Sequence, residues 1–144
     1  MFEKLKNGDD VKNVLKEAFD MELPVGGKWG YTKEEPLIIN TKDIQTSQVE
    51  FVFASMRATL EMNLTQPKES RYSAINIKEI SRETFDDLEK VVYEVSGIKE
   101  DIYTQFINEY KQGYGKSGFD IDEHFKKREE NTLKREVEYW FKLN

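Results

Sequence analysis

Gly113, Gly115 and Gly118 spell G-x-G-x-x-G, the spacing with which a loop between a strand and a helix cradles phosphates. The stretch before it carries Ile98, Ile102, Phe106 and Ile107 at helical spacing, so a helix precedes the loop where a strand is needed. A P-loop fails as well, because Tyr110 stands where its first glycine belongs. The segment therefore reads as a helix C-cap and a connection, with Tyr114 kept as a candidate binding residue. Residues 26–31, Gly-Gly-Lys-Trp-Gly-Tyr, hold more chemistry. Glycine lets a ligand approach the backbone, and the rings of Trp29 and Tyr31 can stack on it. A tight turn whose rings cap the core is the plainer reading of the same residues.

Asp120, Asp122 and Glu123 gather carboxylates beside His124, the one histidine of the chain. The EF-hand order of acidic ligands, glycine and terminal glutamate is absent, and helix N-termini attract carboxylates without any metal. No cysteine exists and no serine nucleophile is marked out beside His124. The sequence thus predicts no catalytic residue, no metal ligand and no cofactor. Arg57 and Glu61 complete the candidates, as polar groups on one face of the longest patterned stretch.

That stretch, residues 49–80, organises the expected fold. Val52, Ala54, Met56, Ala58, Leu60, Met62 and Leu64 alternate with polar residues, which predicts a strand with one dry and one wet face. Gln66 and Pro67 open a turn, and residues 71–80 would return as the second strand of a long β-hairpin. A helix competes: Val49, Val52, Phe53, Met56 and Leu60 fit its stripe, and Ser47 with Glu50 imitates a capping box. Phe51 and Met62 fall off that stripe, which favours the strand.

Around this hairpin the other elements are shorter. Val11, Val14, Leu15, Ala18 and Phe19 form the stripe of a helix over 9–20, capped by Asp9 or Asp10 and stopped by Pro24. Trp29 to Tyr31 and Pro36 to Asn40 suggest short strands, the second, with Leu37, Ile38 and Ile39, buried. Residues 41–48 read as a polar linker. Thr84 with Asp87, then Phe85, Leu88, Val91, Val92 and Val95, predict a helix ending at Gly97, followed by a second over 98–112. Residues 120–143 read as a charge-laced helix, with 137–143 open to a strand reading.

At 144 residues the chain fits one domain, 1–144. Apolar residues reach only 38%, but 12% aromatics are too many for a disordered chain. A net charge of −6 argues against nucleic acid and anionic membranes, and in favour of a basic protein partner. No leader or spanning stretch is visible, so a cytoplasmic address is expected. The expected fold class is α+β: an N-terminal helix, an antiparallel sheet dominated by the hairpin, then two or three C-terminal helices. The expected function is an acidic protein-binding module, of the inhibitor or immunity type, for a cationic partner. The alternative is a small-molecule-binding domain or small enzyme built on the 26–31 turn and the Arg57/Glu61 face, with oligomeric state left open. Trp29 and Tyr31 on a convex edge would favour the first, and in a pocket with Arg57 or Glu61 the second.

Overall fold

The computed structural model describes residues 4–5, 10–40, 46–116 and 118–143. The Asp9 cap, most of the 41–48 linker and Ser117 lie outside them. The architecture is α+β, with four α-helices and a five-stranded sheet among the described residues.

Helix α1, Val11–Phe19, forms as its stripe requires, with Asp10 as N-cap accepting from the Asn13 amide. Val11 and Leu15 enter the core. Strands β1 (Val25–Gly27) and β2 (Leu37–Ile39) follow, and β2 is buried as expected. Trp29 to Tyr31, expected as a short strand, is instead the loop between them.

The expected strand over 49–64 is a helix. Helix α2 runs Thr46–Thr59 and continues into a π-turn, Leu60–Leu64. Its buried face is Glu50, Phe53, Ala54, Arg57, Ala58 and Glu61, a helical stripe in which three positions are charged. Those charges broke the apolar helical pattern and left the apolar alternation standing. Phe51, off the stripe, is exposed, and Met62 is turned inward within the π-turn, whose hydrogen bond runs from Thr65 N back to Leu60 O. A single 3₁₀ turn, Lys68–Ser70, leads to the sheet.

The long hairpin lies one element later than expected, in β3 (Tyr72–Phe85) and β4 (Leu88–Lys99). The helix expected over 84–95 is therefore strand. Phe85 pairs with Leu88 across a two-residue turn in which Asp86 adopts φ 55°, a left-handed conformation that aspartate tolerates. β-Branched Val91, Val92 and Val95 with Tyr93 suit a strand, and Val91, Tyr93 and Val95 all point into the core. Gly97 is no helix cap; a Cβ there would meet Met62 Cε at 3.1 Å.

Helix α3 (Glu100–Gly113) matches its expected stretch closely, whereas α4 (Ile121–Glu130) covers only the first part of the helix expected over 120–143. The last segment divides: after α4 the chain becomes β5, Thr132–Leu143, the strand reading of 137–143 extended backwards. Strand order is β1-β2-β5-β4-β3, and β5 runs parallel to β2, so the sheet is mixed and not purely antiparallel. Helices α1 and α2 cover the inner face, where Phe53 packs at 6.1 Å from Trp29 and from Phe141 and at 6.5 Å from Tyr139.

Candidate functional site

The structure gathers Trp29, Tyr31, Arg57 and Glu61 into one place, and that place is inside the protein. Helix α2 carries Arg57 inward, where it is 0% exposed. Its guanidinium lies between two rings, 4.0 Å from the centre of Tyr31 and 3.7 Å from that of Tyr139. Nη1 donates to the Trp29 carbonyl and Nη2 to the Glu138 carbonyl, each at 3.1 Å. Nε lies 3.7 Å from Glu61 Oε2, too far for a hydrogen bond but within ion-pair range. The π-turn presents Glu61 to Arg135, whose Nη2 is 2.9 Å from Oε1, while the Tyr31 hydroxyl donates a short hydrogen bond to Oε2. Burial first, and then the Glu61 charge, push the Tyr31 phenol well above its usual range. Burial also pushes Tyr139 up to about 12, so both stay neutral donors.

Neither expected placement of the turn is found. Trp29 is 1% exposed, in the core, on neither a convex edge nor an open pocket. The glycines serve packing: a Cβ on Gly30 would come 2.7 Å from the Trp140 carbonyl, and Gly30 O accepts from Trp140 N at 2.8 Å. The backbone that approaches the glycines belongs to β5, and the network ties α2, the loop and β5 together. Tyr114 stands apart from all of these, 65% exposed after α3 and tilted against Tyr110 at 5.3 Å.

His124 is also interior. It sits among Phe106, Tyr110, Phe119 and Phe125, with ring centres 5.3 to 5.8 Å away, and neither ring nitrogen has a hydrogen-bond partner. Glu109 Oε2 lies 3.7 Å from Nδ1. Among the described residues no group of three or more His, Asp or Glu is placed to hold a metal ion.

No protein family, curated protein or solved structure matches this chain.

A second buried charge cluster escaped the sequence reading. Glu50, fully buried on α2, accepts from Arg82 Nη1 at 2.9 Å, and Glu89 accepts from the same nitrogen at 2.7 Å. Arg82 Nη2 reaches Glu79 at 2.8 Å. The partners come from three different elements, so no spacing in the chain announces them. Burial, outweighing the Arg82 hydrogen bond, and the neighbouring Glu89 carboxyl push Glu50 up to about 7. Burial acts against the Arg82 charge, but hydrogen bonds to Glu79, Glu50 and Glu89 outweigh it and raise Arg82 above its usual range. A carboxyl whose folded value exceeds its unfolded one contributes stability that is complete below about pH 4.5 and lost as pH rises through about 7. Glu50→Gln should abolish that loss. Urea midpoints at about pH 5 should agree between the two proteins, and at about pH 8 the variant should gain on the order of 2 kcal/mol. Parallel pH profiles would mean that Glu50 does not titrate in this range.

The aromatic pair on the outer face of the sheet was missed too, because Phe85 fell in the expected 84–95 helix and Trp140 in a segment open to either reading. Here Phe85 of β3 stacks on Trp140 of β5, centres 6.2 Å apart and planes 25° from parallel, with Lys90 Nζ 5.9 Å from the indole centre. Phe85 is 46% exposed and Trp140 half-buried. Lys90 reaches Glu138 at 3.4 Å. Two rows further along, Glu94 stands directly opposite Glu136, and neither is in an ion pair among the described residues. Like charges directly opposite across strands repel, and here Lys78 of β3, opposite Glu94 on its other side, and the nearby Lys134 charge offset part of that repulsion.

Proposed function

We propose that this chain is a protein-recognition domain that docks a cationic protein on the outer face of its sheet. The reading rests on the Phe85–Trp140 stack sharing the outer face with the facing carboxylates Glu94 and Glu136, two rows further along. Stacked aromatics on a rigid sheet supply contact area at little entropic cost, and tryptophan is prominent among residues that anchor interfaces. A lysine or arginine from a partner, placed between Glu94 and Glu136, would relieve their repulsion. The net charge of −6 would steer such a partner inward over distances of a Debye length. An inhibitor or immunity-type role, closing the basic active site of a toxin or nuclease, is the finer form of this reading.

The test is affinity capture from lysate of the source cells, comparing the wild type with Trp140→Ala and with the double variant Glu94→Lys/Glu136→Lys. One basic protein should be retained by the wild type, shed by salt, and weakened about thirtyfold by Trp140→Ala. The charge reversal should slow its association and flatten the salt dependence. Retention that ignores both changes in folded variants would remove this face as the docking surface.

A further inference from the structure

Strand β3 closes one side of the sheet and among the described residues pairs only with β4, so its other backbone edge faces outward. Free edges of this length are templates for another strand, and proteins blunt them with bulges and charge. β3 has both, in an unusual relation. Its register against β4 slips between Glu79 and Ser81, leaving Ile80 unpaired and 45% exposed. The slip changes the phase of the side chains. Glu79 shares a row with inward Tyr93 and Arg82 with inward Val91, whereas Lys78 shares a row with outward Glu94 and Glu83 with outward Lys90.

Now let a second β3 run antiparallel along this edge, about a two-fold axis between Ile80 and Ser81. Lys78 then opposes Glu83 of the other copy, both on the outer face. Glu79 opposes Arg82, both on the inner face. The match of faces continues outward, Ile77 against Thr84 and Asn76 against Phe85. In an unbroken strand, residues whose numbers sum to an odd value lie on opposite faces. The bulge is what brings them onto the same one. Shifting the axis by half a residue opposes outward Lys78 to inward Arg82, or inward Glu79 to outward Glu83, so the faces no longer match. Neither Lys78 nor Glu83 is in an ion pair among the described residues, so each charge is available to the other copy.

We propose that the chain forms a two-fold dimer through this edge, joining two five-stranded sheets into one continuous sheet in which Lys78 pairs with Glu83 of the second copy. The axis stands perpendicular to the sheet, so both outer faces end on the same side. An edge-to-edge contact of this kind is small, and association belongs in the micromolar range.

Sedimentation equilibrium at low salt, from micromolar to hundreds of micromolar, reads the mass directly. The wild type should approach twice 17.0 kDa. Lys78→Glu and Glu83→Lys should each weaken the dimer about tenfold, because each reversal makes two symmetry-related pairs repulsive. The combined variant Lys78→Glu/Glu83→Lys should recover the wild-type constant, since the swap restores both pairs. Both positions altered in this set, Lys78 and Glu83, lie on exposed surface, and circular dichroism verifies that each variant is folded. A wild type that stays monomeric throughout overturns the proposal and leaves the edge to a strand of another protein. So does a combined variant as weak as its parents, since a different register would then be in use.

Discussion

Arg57→Ala should cost about 3–5 kcal/mol of unfolding free energy, the amount typical when one partner of a buried ion pair is removed. The loss has separable parts. The Trp29 and Glu138 carbonyls lose their buried donors, Glu61 keeps only Arg135 and Tyr31 to balance its charge, and the space between two tyrosine rings is vacated. Arg57→Lys should recover only part of this, since an ammonium cannot lie flat between the rings and reach two carbonyls at once. A double variant, Arg57→Met/Glu61→Gln, should be less harmful than the sum of its single changes, because the surviving charge is removed with its partner. Urea denaturation of the wild type, these variants and the single changes Arg57→Met and Glu61→Gln settles the matter. An Arg57→Ala variant within about 1 kcal/mol of the wild type would show the network to be energetically idle.

Trp29→Ala should be as damaging, for a different reason. Its ring is stacked on Phe53 and closed off from water, and emptying such a site costs about 3–5 kcal/mol. The chain's other tryptophan, Trp140, lies on the outer face, and its removal should leave the fold standing. Fluorescence separates the two. Trp140→Phe should leave one blue-shifted emitter that iodide scarcely quenches, whereas Trp29→Phe should leave a redder, accessible one. Equal quenching in the two variants would contradict this division of the tryptophans. It also separates loss of binding through unfolding from loss of binding through a damaged surface.

The elements legible in the sequence were those whose buried face is apolar throughout. Helix α1 shows Val11 and Leu15 on a clean stripe, β2 is a short apolar run, and α3, with Phe106 inward, begins and ends near its expected residues; α4, whose buried residue is His124, starts where expected but stops at Glu130. Helix α2 was illegible because its inward stripe includes Glu50, Arg57 and Glu61, each satisfied by a residue that only the folded chain brings near. Strand β4 was illegible because its valines fit a helical stripe as well as an alternation, and only pairing with β3 and β5 decides between them. The site followed the same rule. Arg57, Glu61, Tyr31 and Trp29 were chosen for their chemistry, and they do meet, but a sequence does not show that β5 will lie across them. Phe85 and Trp140, the outer-face pair, are separated by most of two strands and a helical hairpin, so nothing local joins them.

The strand order has a consequence for how the protein is made. β5 is the last strand of the chain and sits between β2 and β4, so the ribosome delivers the keystone after everything it supports. In the seconds between the synthesis of Lys99 and that of Leu143, the β3–β4 hairpin waits with an open edge on both sides. The inner row of Val91, Tyr93 and Val95 has at that stage no Tyr139 or Phe141 beside it. Nascent chains stalled in this interval should be the aggregation-prone and chaperone-bound form of the protein, and collapse into the native sheet should follow only once β5 has cleared the exit tunnel.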